Sequence, residues 1–171
     1  MRAHVLLAAC AVVTISAACN HDAGLTTGPR PASPLTSLET AIASVDFDVT
    51  LRAPDGGHGI GHVYFRQPPD DETVVRLGTV VHNLAPFTAY NLQRAADGPA
   101  DGICTSTSWL TLGFGTVVAP IATDHRGTGR AELFRVLTNP VGSQFDIRFR
   151  IVDPSGAVVL TSPCYQFIVT K

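Results

Sequence analysis

Charge is scarce in this chain. Only 15% of its 171 residues are Asp, Glu, Lys or Arg, and they sum to a formal −2. The arginines are scattered and no basic run occurs, which excludes the electrostatic footprint of a nucleic-acid binder. Helical periodicity is almost missing, and there is no internal repeat. There is no G-x-S-x-G elbow, and no Ser or Cys is tied by spacing to a His and a carboxylate, so nucleophilic catalysis finds no support. Cysteine is limited to four residues.

What is present is apolar and turn-rich. The 45% hydrophobic content is enough for one domain with a core. Twelve prolines and fifteen glycines suit a chain that reverses often. At the N-terminus Arg2 and the apolar run VLLAACAVVTISAA form a signal segment too short to span a bilayer comfortably. It ends in Ser16-Ala17-Ala18-Cys19, which resembles the lipobox of bacterial lipoproteins, whose cysteine is lipidated and becomes the new N-terminus. Ser16 stands where that pattern has Leu. Leu7-Ala8-Ala9-Cys10 fits the pattern better but leaves too short an apolar region for export.

Cysteine arithmetic bears on the choice. Lipidation of Cys19 removes Cys10 and leaves Cys104 and Cys164 as an even pair. Ordinary cleavage after Ala18 leaves Cys19 as a lone thiol. Both routes lead to an oxidising compartment, and Asn20 behind the cysteine points to the outer membrane by analogy with lipoproteins. A Cys104–Cys164 bridge closes a loop of about 60 residues, worth roughly 4 kcal/mol in the chain-entropy model.

The domain reading is therefore 1–18 signal peptide, 19–43 lipidated cysteine and tether, and 44–171 folded domain. NHDAGLTTGPRPASPLT lacks the apolar surface to offset ordering entropy. Thr36-Ser37-Leu38-Glu39 matches a capping box and starts either one helical turn or more tether. From Val45 the period is two. SVDFDVTL alternates Val45, Phe47, Val49 and Leu51 with polar residues, and HVYFRQ, ETVVRLGTVVHNL, AYNLQR, SWLTLG, TVVAPIATD, RAELFRVL and YQFIVT are further strands. FDIRFRIVDPSGAVVLTS is a hairpin with Phe145, Ile147, Phe149 and Ile151 on one face and its turn at Asp153-Pro154-Ser155-Gly156. The expected fold is all-β: an antiparallel Greek-key β-sandwich or flattened barrel of about eight strands.

The order of motifs resembles the Cu/Zn superoxide dismutases over about residues 44–171. The shared features are APDGGHG, HVYF, the V-x-N-L-x-P turn, an Asp-Gly loop running into G-x-C-T-S, LGTVVAPIATDHRGTGRAEL, and a cysteine opening the last strand. Other extracellular sandwiches, the chordin-type repeat domain among them, share the turn and the strand order. The resemblance implies the same Cys104–Cys164 bridge. Its metal chemistry is not carried. Copper and zinc need imidazoles on a fixed frame, and Tyr90 and Leu92 stand where that family's His-x-His pair follows the turn. No histidine occurs near RIVDP, and LTSPC replaces the substrate-guiding arginine.

Other candidates are few. His58 and His62, four apart, would face the same way on a strand and with His82 would make a small metal site. Exposed turn or edge histidines are the plainer reading, and His21 belongs to the tether. Asp97 and Asp101 supply oxygens for calcium or, by default, bond their own backbone. Asp70, Asp71 and Glu72 form a solvated tip. Trp109, Tyr90 and Phe87 either line a ligand groove or fill the core. Arg148 and Arg150 read as a solvent face beside Asp146. The expectation is a non-catalytic lipoprotein of the cell envelope without a cofactor. It is held to the membrane by its N-terminal lipid and binds an unidentified protein or small molecule. A metal-binding protein or dismutase-like metalloenzyme with an atypical histidine site is the alternative.

Overall fold

The computed structural model describes residues 46–68 and 74–170. The signal peptide, Cys19, the tether, His21 and the acidic tip at 70–72 lie outside the described residues. The described chain is all-β: β1 (Asp46–Arg52), β2 (Ile60–Arg66), β3 (Val74–His82), β4 (Ala89–Asp97), β5 (Leu110–Thr111), β6 (Gly113–Phe114), β7 (Val117–Val118), β8 (Ile121–Ala122), β9 (Gly129–Val136), β10 (Gln144–Val152), β11 (Val158–Thr161) and β12 (Tyr165–Ile168).

Neighbouring strands run β5-β4-β10-β11-β1-β2-β3-β9-β6-β7, with β12 also on β10 and β8 on β4. All pairings are antiparallel except β6 on β9, which is parallel at Phe114↔Phe134. The sheet is thus mixed, and it has twelve strands where the sequence led us to expect about eight. Two expected strands are broken for identifiable reasons. SWLTLG changes partner at Leu112: Leu110 and Thr111 pair with β4, whereas Phe114 pairs with β9. TVVAPIATD is interrupted at Pro120, which has no N–H for a ladder. The last two strands share β10 as neighbour and are separated by Ser162-Pro163-Cys164.

These short pieces nearly close the sheet into a barrel. β4 and β9 do not pair with each other. The gap between them is spanned at one level by residues 110–114 and at another by residues 121–123, which reach β4 through Tyr90↔Ile121 and β9 through Thr123↔Gly129. Leu112 N–H donates to Leu92 O (2.8 Å) and Gly115 N–H to Phe134 O (3.0 Å), so the same segment holds both sides.

The alternating residues of the long strands fill the interior. Val49 and Leu51, Val63 and Phe65, Val75 and Leu77, and Ile147, Phe149 and Ile151 are buried in one cluster. Their aromatic rings meet edge to face, as Phe65 does with Phe167 at 4.7 Å. The DPSG turn forms as expected: Gly156 N–H donates to Asp153 O, Gly156 has φ +87°, and Asp153 Oδ1 accepts from Ser155 and Ala157.

Candidate functional site

The three candidate histidines have different settings, although the register Ile60↔His82 and His62↔Val80 puts His62 and His82 on the same face of neighbouring strands. His58 lies in the turn ahead of β2, so the strand argument that aligned it with His62 does not apply to it. His62 faces outward on β2 with Nδ1 3.4 Å from Asp48 Oδ1, and His82 ends β3 with Nδ1 3.3 Å from Thr128 Oγ1. Among the described residues no three His, Cys, Asp or Glu side chains gather to hold a metal. Tyr90 and Leu92 are core residues, and the Tyr90 hydroxyl accepts from Ala85 N–H at 3.0 Å, tying down the L-x-P turn. Phe87 is 80% exposed at the tip of that turn with φ +50°. Tyr90 therefore fills the core, whereas Phe87 lies on the surface.

Arg148 and Arg150 do not form a solvent face. Residues 98–109 fold over them as a roof. The Trp109 ring lies 4.0 Å from the Arg150 guanidinium carbon and 5.1 Å from that of Arg148. Arg148 Nη2 donates to Ser106 O and Arg150 Nε to Gln93 Oε1. The Cys104–Cys164 disulfide, with a Cα–Cα distance of 5.6 Å, fastens the roof to the chain just before β12.

Asp146 anchors the other end of the roof. Its side chain is fully buried, and Oδ2 accepts N–H bonds from Asp101 (2.9 Å), Gly102 (2.8 Å) and Ile103 (3.1 Å). Desolvation pulls its pKa up, but these amides and the Asp101 carboxyl together outweigh it and hold the group below the ordinary carboxylate value. Asp101 Oδ1 accepts from Ile103 N–H, the local backbone bond expected of this loop, and Asp97 Oδ1 accepts from Thr105. Asp97 and Asp146 stand directly opposite each other on β4 and β10. Asp97 Oδ2, Asp146 Oδ1 and Arg148 Nε are buried without a hydrogen-bond partner.

A well-formed concavity lies elsewhere, at the barrel end where β2, β4 and β9 finish and β3 and β10 begin. It measures about 530 Å³, within the range of small-molecule sites. Phe65, Leu77, Phe149 and Phe167 form its floor, and Leu137, Asn139 and Gln144 its rim. Phe65 is 3% exposed and Phe149 0%, so the cavity is a cleft in the barrel mouth above a core that is already closed.

Two arginines line this cleft. Arg94 continues the inward series Tyr90, Leu92 on β4, and Arg135 continues Ala131, Leu133 on β9. Arg135 Nη1 donates to Gly115 O at 3.0 Å. The Arg94 side chain makes no hydrogen bond or ion pair with any described residue. Burial, then repulsion from Arg135, lowers its pKa. Sequence reading missed both residues. The signal was there in the period of two, which puts Arg94 in phase with Tyr90 and Leu92 and leaves a cation on the core face.

No protein-family model, curated protein or solved structure matches this chain.

Proposed function

We propose that the protein is a non-catalytic binding module of the cell envelope, lipid-anchored through Cys19, whose ligand site is the cleft at the barrel mouth. The fold is read as a Greek-key barrel of the superoxide dismutase type that has lost its metal ligands. Supporting this reading are the connections that skip neighbours, with β9 beside β3 and β10 beside β4, and the disulfide from the mid-chain loop to the start of the last strand. The observation that carries the binding function is the cleft itself. It combines an aromatic floor with a few polar groups at the rim, as small-molecule sites do.

Two measurements test the proposal. Mass spectrometry of the membrane fraction is expected to find an acylated N-terminal peptide beginning at Cys19. Soluble protein with a free Cys19 thiol would sink the anchoring. The folded protein offered copper and zinc and then dialysed is expected to retain neither. One bound equivalent would restore the metalloprotein reading and direct mutation to His58, His62 and His82.

A further inference from the structure

Arginine inside a barrel is unusual because its charge must leave water. Such cations are ordinarily paired. Arg94 is half-buried, inward-facing and unpaired among the described residues, and the charge that acts on it is that of another arginine, Arg135. Asp97 lines the same cleft but forms no ion pair with Arg94: its Oδ1 accepts from Thr105, and its Oδ2 is buried away from the opening without a partner. The guanidinium fork is suited to an oxyanion that it grips with two parallel N–H bonds. Half-buried Leu137 and Phe145 line the same cleft over nearly closed Phe65 and Leu77, and they offer apolar contact and no polar partner. A volume of about 530 Å³ has room for a ring or an alkyl chain of several carbons as the apolar part.

We infer that the cleft binds a compact amphiphilic oxyanion, its carboxylate or phosphate head forked by Arg94 with Arg135 beside it and its apolar body on the phenylalanine floor. The inference rests on the cleft being the ligand site and names the chemical class it takes.

Isothermal titration of the full chain with octanoate, octyl phosphate, octan-1-ol and acetate tests it. Octanoate or octyl phosphate is expected to bind at one site, and the better head group identifies the source chemistry. Octan-1-ol should bind at least about tenfold more weakly, since it loses the charge-assisted pair, and acetate, lacking the apolar body, should give no measurable heat. Arg94→Met keeps the aliphatic stem and removes the fork. It is expected to weaken the anion about tenfold or more while leaving octan-1-ol unchanged. The same variant should melt at an equal or higher temperature than wild type, because it removes a half-buried charge and its repulsion from Arg135. A purely structural arginine would give the opposite shift. Octan-1-ol binding as tightly as octanoate, or undiminished anion binding by Arg94→Met, would overturn the oxyanion class while leaving the cleft as a site. If wild type binds none of the probes at millimolar concentration, the cleft falls as the ligand site too.

Discussion

Asp146 carries more of the fold than a single surface carboxylate could. It is on the outward face of β10, yet three consecutive backbone amides of the roof close over it. Asp124 and Asp153 do similar work in exposed turns. Asp124 is held low chiefly by Thr128 N–H, and Asp153 chiefly by the Ser155 hydroxyl. All three have folded pKa values below the ordinary one. Their stabilisation is therefore complete above the unfolded carboxylate pKa of about 4 and is lost as pH falls through the depressed folded values. The urea midpoint is expected to stay level on this account from neutral pH to about 4 and to drop below it. Asp146→Asn should start lower and fall less steeply. Gly127 is a second point of dependence, with φ +73° and an added Cβ directed into the Leu84 carbonyl oxygen. Gly127→Ala is expected to cost about 2 kcal/mol or more, read from the shift in urea midpoint.

Elements that follow one rule along their length were readable in advance. β1 alternates apolar and polar residues for seven residues and β10 for eight, up to Ile151, and the core face named from sequence is the face that packs into the core. Residues 110–122 defeated the same reading, because a two-residue strand has no period and its partner is set by tertiary pairing. The roof was missed for a related reason. Outward-facing Asp146, Arg148 and Arg150 look solvated until a loop dozens of residues earlier in the chain is placed on them. That loop is held by the disulfide, the Trp109 stack and the Asp146 amides together. Reducing the bridge, or replacing both cysteines by Ala, is expected to lower global stability by about 4 kcal/mol in the chain-entropy model, measured by denaturant unfolding. Trp109→Ala should act locally, raising proteolytic cleavage within 98–109 with a small effect on the midpoint.

At the scale of the molecule, the barrel is uneven around its circumference. β1, β2, β3 and β9 are joined by long ladders of seven or eight paired residues. Between β4 and β9 only short segments intervene. Amide exchange is expected to be slowest in β2 and β3 and distinctly faster in 110–123, with the order reversed only if the gap is not where the sheet opens. Gly113 lies within that gap, where an added Cβ meets the Val117 carbonyl oxygen, and Gly113→Ala should speed exchange there before it changes the far side.

The two arginines of the cleft sit on the strands that flank this gap, Arg94 paired with Leu110 on one side and Arg135 bonded to Gly115 on the other. Whatever anion spans them joins two strands that have no direct backbone pairing with each other. Occupancy and closure are then one thermodynamic quantity: by mass action a ligand at a hundred times its Kd adds about 2.7 kcal/mol to the closed form. Each increment of binding appears as slower opening of residues 110–123, and a substitution that loosens those residues weakens the ligand only by the fraction of closed form that it removes.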